Sequence, residues 1–421
     1  MNSTALLSSA LAGITVLEVG DARAEFAGLL LRSLGAEVIR AEGRRGSHSR
    51  HVGPFTTSEP NPEHSLCFSR YNLGKKSITL EIDNPATREA FARLATSADV
   101  ILDSGEAIDV VGRMTTYRDW HASNPKLIVC AITPFGLDGP YRDLKMTDLT
   151  HLAFGGVMAS CGYDPLPDGT YDTPPIAPAM WQAYHIACEH AVIAITAALN
   201  FRELTGEGDS IDLSIHEAVS TCTEVAMPTW IYNQALVHRQ TGRHAAESRS
   251  RPWLRRTRDG RYIKAFMFWG GRERRVVAEM MTEAGIEHDL DSDAYRELAE
   301  RSPSEAGRHF SAMIDRLCAA LTAEEIFHRS QAKGLLWASV RYPEENLADP
   351  HFQARGTFQP IDHPEIGRAL SYPVSVGTDG HDRVTAFDRG APRLGEHTRE
   401  VLAAAGLSNA EIDRLASAEA I

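Results

Sequence analysis

Residues 14–42, ITVLEVGDARAEFAGLLLRSLGAEVIRAE, carry a β-branched run, a glycine, a helical pattern and a second β-branched run. The first run, 14–19, reads as a strand, the pattern AEFAGLLLRSLGA at 24–36 as a helix, and EVIRAE at 37–42 as a second strand. A strand, crossover helix and strand in that order imply a right-handed βαβ unit, and so a parallel sheet. The turn Gly20-Asp21-Ala22-Arg23 lacks the G-x-G-x-x-G spacing that brings a backbone against a pyrophosphate, so no dinucleotide follows from it.

Further runs extend the same reading: strands over 77–82, 98–103 (ADVILD) and 209–214 (DSIDLS), and a run over 124–141 that enters a glycine-rich turn. Asn84-Pro85 opens a helix with proline at its first position. Between 174 and 208 lies PPIAPAMWQAYHIACEHAVIAITAALNFRELTGEG. Tyr184, Cys188, Ala191, Ile195 and Ala198 recur there at helical spacing up to a stop at Gly206. About 25 residues at roughly 1.5 Å each cross a whole domain, so this helix is a core axis. The loop before it, with Pro174, Pro175 and Pro178, is a place to hold a ligand.

A chain of 421 residues with 43% hydrophobic and 24% charged content is long enough for two to three domains. Its net charge of −13 argues against nucleic acid or an anionic membrane as the main partner, so a polyanionic small ligand needs a local basic pocket. Six cysteines stand far apart with no C-x-x-C pair, which reads as reduced, buried thiols in a cytoplasmic protein without disulfides or zinc. The first residues carry no Lys or Arg before Arg23, and no apolar run approaches the ~20 residues of a membrane span, so neither a signal peptide nor a membrane anchor is expected.

Beyond about residue 226 the character changes. Residues 230–252 are polar and basic, Asp259-Gly260 between strand-like runs signals a hairpin, and 275–340 supply helices.

The run AALNFRELTGEGDSIDLS at 197–214 resembles the segment A-A-L-x-x-R-x-x-T-G-x-G-x-x-V-D-V-S of family III CoA-transferases and the related α-methylacyl-CoA racemases. Leu34-Gly35-Ala36, Asn72-x-Gly74-Lys75-Lys76-Ser77, the turn after Ile132 and the run Gly395-Glu396-His397-Thr398 match other motifs of that family in order, across nearly the whole chain. The resemblance implies an α/β fold. Its large domain, with a Rossmann-like parallel sheet, takes 1–225 and the return at 341–421; a smaller α+β domain takes 226–340; and two chains interlock as a dimer. It also implies coenzyme A and acyl-CoA as substrates together with a carboxylic acid, and no permanently bound cofactor or metal. Contacts to CoA are expected from Arg44, Leu80, Arg113, Met114 and Lys145.

In relatives an aspartate opens the long helix, attacks the thioester and later carries CoA itself. Counted back without a gap, its position here is Tyr184. A phenol can at most be acylated and has no carbonyl to hold CoA. A second departure replaces the family's A-G-P by Ala24-Glu25-Phe26, and a third puts Asp103-Ser104-Gly105 where E-N-aromatic is usual. Thr147 stands where racemases have histidine. Asp148 reads either as an N-cap for a helix from Leu149 or as a substitute catalytic carboxylate. Arg113 reads either as a phosphate contact or as an ordinary helix arginine. The arginine loop Arg44, Arg45 and Arg50 reads either as a phosphate contact or as a solvated surface. Glu189 lies five positions beyond Tyr184, about 140° away around a helix, and so points elsewhere. Three roles stay open: the subunit without a nucleophile in a heteromer with an Asp-bearing paralogue, an active transferase with a displaced nucleophile, or an acyl-CoA-binding protein.

Overall fold

The computed structural model describes residues 10–82, 84–104, 117, 119–223, 225–266, 271–371, 387 and 389–421. Arg113, Met114 and Gly105 lie outside the described residues. The chain forms two compact units. One gathers the described residues of Met1–Val157, Ala177–Cys222 and Leu347–Ile421, and the other those of Met158–Ile176 and Thr223–Asn346. Residues 158–176 thus join the smaller unit, although the sequence offered no composition change there.

The larger unit is built on β1 (Thr15–Val19), β2 (Glu37–Glu42), β3 (Lys76–Thr79), β4 (Val100–Asp103), β5 (Ile128–Thr133) and β6 (Ser210–Ser214). They form one six-stranded sheet in the order β3-β2-β1-β4-β5-β6, every pairing parallel. The central strands β4 and β5 are almost wholly apolar and wholly buried because both faces are covered, while the other strands interleave polar residues. Side chains alternate between those faces. Leu17, Val19, Ile39, Ala41, Ile78, Ile101 and Val129 enter a core with Phe91 and Leu94 of the helix Arg88–Ser97 and with Val401, Leu402, Ile412 and Leu415 from the C-terminal return.

The alternate positions Glu18 and Arg40, register partners on β1 and β2, face the other way. There they meet α1 (Ala22–Ser33) in a fully enclosed ion network: Arg40 bonds Glu18 and pairs with Glu25 at 2.7 Å, and Lys75 Nζ reaches Glu18 at 2.8 Å. Charges this deep are tolerated only in mutual pairing. Burial lowers the Lys75 pKa although Glu18 opposes it. Gly28 leaves the room: a Cβ there would fall on the Glu18 carboxylate.

The smaller unit has an antiparallel sheet of β9 (Leu254–Arg256), β10 (Tyr262–Ala265) and β11 (Trp337–Ser339), in the order β11-β10-β9, and a hairpin of β7 (His238–Gln240) and β8 (Arg243–Ala246). Asp259-Gly260 does turn β9 into β10, with Gly260 at φ +75°. The polar and basic stretch 230–252 holds the β7–β8 hairpin. Helices Gly271–Glu283, Asp293–Arg301, Pro303–Ala320 and Ala323–Ala332 pack Met280, Ile314 and Leu317 around the buried Trp337.

No described helix is long and apolar enough to cross a membrane. All six cysteines are free. Four are buried, Cys161 is half-buried and Cys222 is exposed, so burial does not extend to every thiol.

Candidate functional site

In a sheet ordered 3-2-1-4-5-6 the strand order reverses between β1 and β4, and a crevice opens there at the carboxyl ends of the strands. In this chain the residues that follow those ends are Gly20-Asp21 after β1 and Ser104 after β4. They are tied together, with the Asp21 amide donating to Ser104 Oγ at 2.8 Å and Ser104 Oγ donating to Asp21 Oδ1 at 3.1 Å. Asp21 also caps α1, accepting the Arg23 amide at 3.0 Å and Arg23 Nε at 2.9 Å. Burial alone would raise its carboxyl pKa, but the bonds from Arg23 and Ser104 win and lower it.

The long helix, α3 (Gln182–Thr205), follows α2 (Asp148–Phe154) and comes down on this turn. Cys188 Sγ donates to the Arg23 carbonyl at 3.0 Å, and α3 packs along α1. The helix ends where the sequence placed its stop: Gly206 takes φ +80° at the C-terminal cap. Gly208 of the same T-G-E-G run passes so close to the Leu127 carbonyl that no Cβ fits.

The start of α3 is unusual. Trp181 at the N-cap has no acceptor for the first-turn N–H groups, and Met180 before it sits at φ +58°. The acceptor comes from α2 instead: Asp148 Oδ1 takes the Tyr184 amide at 3.0 Å, and the Ala183 amide also bonds this carboxylate. Asp148 is therefore not the N-cap of its own helix. Thr147 fills that role in a capping box with Thr150, and Asp148 is the first helical residue, free to cap the neighbour. Burial raises its pKa against the effect of those two bonds.

Tyr184 occupies the third position of α3, half-buried. Burial, and then the Asp21 carboxylate, push its phenol up to about 12. Asp21 and Asp148 are the carboxylates acting on it, and both already accept hydrogen bonds. Around the same turn lies an aromatic cluster. Phe26 stacks on His185 with centroids 4.2 Å apart, Tyr71 stacks on Trp181 at 5.4 Å, and the Tyr71 hydroxyl meets His185 Nε2 at 2.8 Å. Trp181 in turn lies 6.2 Å from Tyr184.

His151 on α2 is wholly enclosed, and neither ring nitrogen has a hydrogen-bond partner among the described residues. Burial, with His216 and Arg23 nearby, lowers its pKa to about 4, so it is a neutral ring in the core rather than a satisfied histidine.

The match to a family model settles the family. It is described as CoA-transferase family III and covers residues 11–398. The chain belongs to CoA-transferase family III. It is 29% identical over 391 residues to the succinyl-CoA:(R)-benzylsuccinate CoA-transferase subunit BbsE of Thauera aromatica, a match covering 92% of each chain. It is 26% identical over 405 residues to the beta subunit of succinyl-CoA–L-malate CoA-transferase of Chloroflexus aurantiacus, covering 93% of each. Among solved structures, a CAIB/BAIF family protein from Brucella suis shares the fold with a TM-score of 0.73 at 24% identity, over 94% of this chain and 99% of that one.

The described residues expected to touch CoA differ in their surroundings. Arg44 is exposed and pairs with Glu419 at 2.9 Å. Lys145 is exposed ahead of α2, with no hydrogen bond or ion pair among the described residues. The Leu80 side chain is buried in the core beneath β3. Arg50 of the arginine loop is enclosed, bonded to Glu42 at 2.7 Å and Glu63 at 3.1 Å and lying 3.6 Å over the Phe68 ring, so only Arg44 and Arg45 of that loop face solvent. Glu189 is exposed on α3. Tyr184 and Asp148 are the two expected catalytic positions that the fold brings together. Asp21, Arg23 and Ser104 were missed; Asp21 ahead of a helical run is a cap signal, but its link to Ser104 spans 83 residues.

Proposed function

We propose that the chain is the subunit without a nucleophile in a heteromeric family III CoA-transferase, binding acyl-CoA beside a homologue that carries the catalytic aspartate. One observation carries the reading: at the helix start there is a phenol, and the two carboxylates beside it are engaged. Asp148 holds the first-turn amides of α3, and Asp21 holds Arg23 and Ser104. A phenol with a pKa near 12 is ionised in roughly one molecule in 10⁵ at pH 7, and it cannot carry CoA as a thioester.

Two further facts support a paired chain. The relatives include proteins named as subunits: BbsE, and the alpha and beta subunits of the Chloroflexus enzyme. Along α3, Ile193, Ala197, Phe201 and Leu204 form a solvent-facing stripe at helical spacing, with Leu204 79% exposed. Apolar stripes of that length mark partner surfaces. Lys145, exposed and without an ion pair among the described residues, is open to a CoA phosphate.

The test is to incubate the purified chain, alone and with an Asp-bearing homologue, with a panel of acyl-CoA donors and carboxylic acids, trap with borohydride and read masses. Expected are CoA transfer only from the pair and an adduct only on the homologue. An adduct on Asp148, Asp21 or Glu189 of this chain would assign it a displaced nucleophile. Acyl-CoA binding with no turnover in any pair would leave it a binding protein.

A further inference from the structure

The smaller unit holds a cavity of about 640 Å³ that the acyl-transfer reading does not use. Its cationic wall is Arg249, Arg251 and Arg274, and its apolar floor is Tyr295, Ala306 and Phe310. Three guanidinium groups on one cavity stand out in a chain of net charge −13. Pro303, the first residue of the helix Pro303–Ala320, also lines it and adds the positive end of that helix dipole.

The arginines are placed with care. Arg251 donates to the Ser304 carbonyl at 3.0 Å, and its guanidinium lies where a Cβ on Gly307 would be. Glycine inside a helix is less favourable than alanine, and here it leaves the space that Arg251 fills. Arg274 bonds the Leu290 carbonyl and lies 3.5 Å from Asp291, a largely exposed carboxylate that offsets part of its charge. Arg249 is exposed and makes no hydrogen bond or ion pair among the described residues.

We propose that this cavity binds a small organic oxyanion, a carboxylate or phosphate on an apolar body. Arginine forks match the paired oxygens of either group. The volume falls in the range of small-molecule sites, roughly 300–1,000 Å³, and the floor takes the hydrocarbon or ring. The inference stands on the smaller unit alone and does not require the subunit assignment.

Isothermal titration of the full chain with inorganic phosphate, succinate, benzoate and adenosine 3′,5′-bisphosphate tests it, alongside Arg249→Ala and Gly307→Ala. Arg249 is exposed, so its removal leaves the fold intact, which circular dichroism verifies. Saturable binding of an organic probe, tighter than inorganic phosphate and weakened at least tenfold by both substitutions, is expected. Carboxylate or phosphate preference then identifies the source. No saturable binding of any probe at ten millimolar, or binding that neither substitution changes, overturns the proposal.

Discussion

Replacing Asp148 separates the two roles open to it. Asp148→Ala removes the acceptor for the Ala183 and Tyr184 amides at a helix start whose own N-cap, Trp181, supplies none. Losing an N-cap acceptor typically costs about 1 kcal/mol, and a buried amide left without a partner about 1–3 kcal/mol, so the first turn of α3 should lose about 2 kcal/mol. At 1.4 kcal/mol per decade that is roughly a 30-fold faster hydrogen exchange at those amides, read from peptides spanning the start of α3. Asp148→Asn behaves differently. It keeps an acceptor oxygen and removes a charge whose burial raises the carboxyl pKa. A raised carboxyl pKa means that this group's stabilising contribution is present below its unfolded value, about 3.9, and is lost as pH rises through the folded value. The neutral amide escapes that loss, so at pH 7 Asp148→Asn should match or exceed the parent within about 0.5 kcal/mol. If Asp148→Ala leaves exchange unchanged, the capping role is wrong. If Asp148→Asn keeps protection but abolishes CoA transfer by the paired enzyme, the carboxylate itself takes part in the chemistry.

Gly208→Ala should prevent soluble folding or lower the melting temperature sharply, because its Cβ would meet backbone at Leu127, which cannot move away as a side chain would. His151, neutral in the fold with a pKa near 4, makes the chain lose stability as pH falls from about 6.5 towards 4, since only the unfolded chain takes up its proton there. His151→Phe should flatten that part of the melting profile measured between pH 7.5 and 5. Tyr184→Asp should stay inactive alone, below one percent of the pair's rate in a CoA-transfer assay, because it sets a third carboxylate beside Asp21 and Asp148 without clearing the aromatic cluster. Full activity from that single change would refute this account of the site.

The parallel sheet was legible from short β-branched and aliphatic runs alternating with helical patterns: β2 spans 37–42 as read, and the long helix covers 182–205 within the predicted stretch. Edges were less legible. The strand expected to reach residue 82 ends at Thr79, where Leu80 still donates to the Glu42 carbonyl and Glu81 turns to the Ala420 carbonyl of the C-terminal return. The exchange of caps between α2 and α3 could not be read at all, since Asp148 and Tyr184 are 36 residues apart and a capping carboxylate looks the same in sequence whichever helix it serves. The same holds for Arg50, which local polarity marked as a surface phosphate contact and Glu42 holds inside. The charge pattern of a loop does not reveal whether a buried acid lies opposite.

Phe26 and Tyr184 are distant in sequence, and the fold gathers both around the start of α3. Phe26 lies against His185, the residue after Tyr184, and the ring of Tyr71 joins that pair to Trp181 at the helix start. Glu25, about 100° around α1 from Phe26, points into the ion network and pairs with Arg40, so the helix that presents Phe26 is fixed by charges that leave it little freedom to shift. Phe26 and Tyr184 thus belong to one aromatic cluster, linked through Tyr71 and Trp181 rather than touching directly. Tyr184→Asp alone leaves Phe26, His185 and Trp181 in place, which is the reason it is expected to stay inactive.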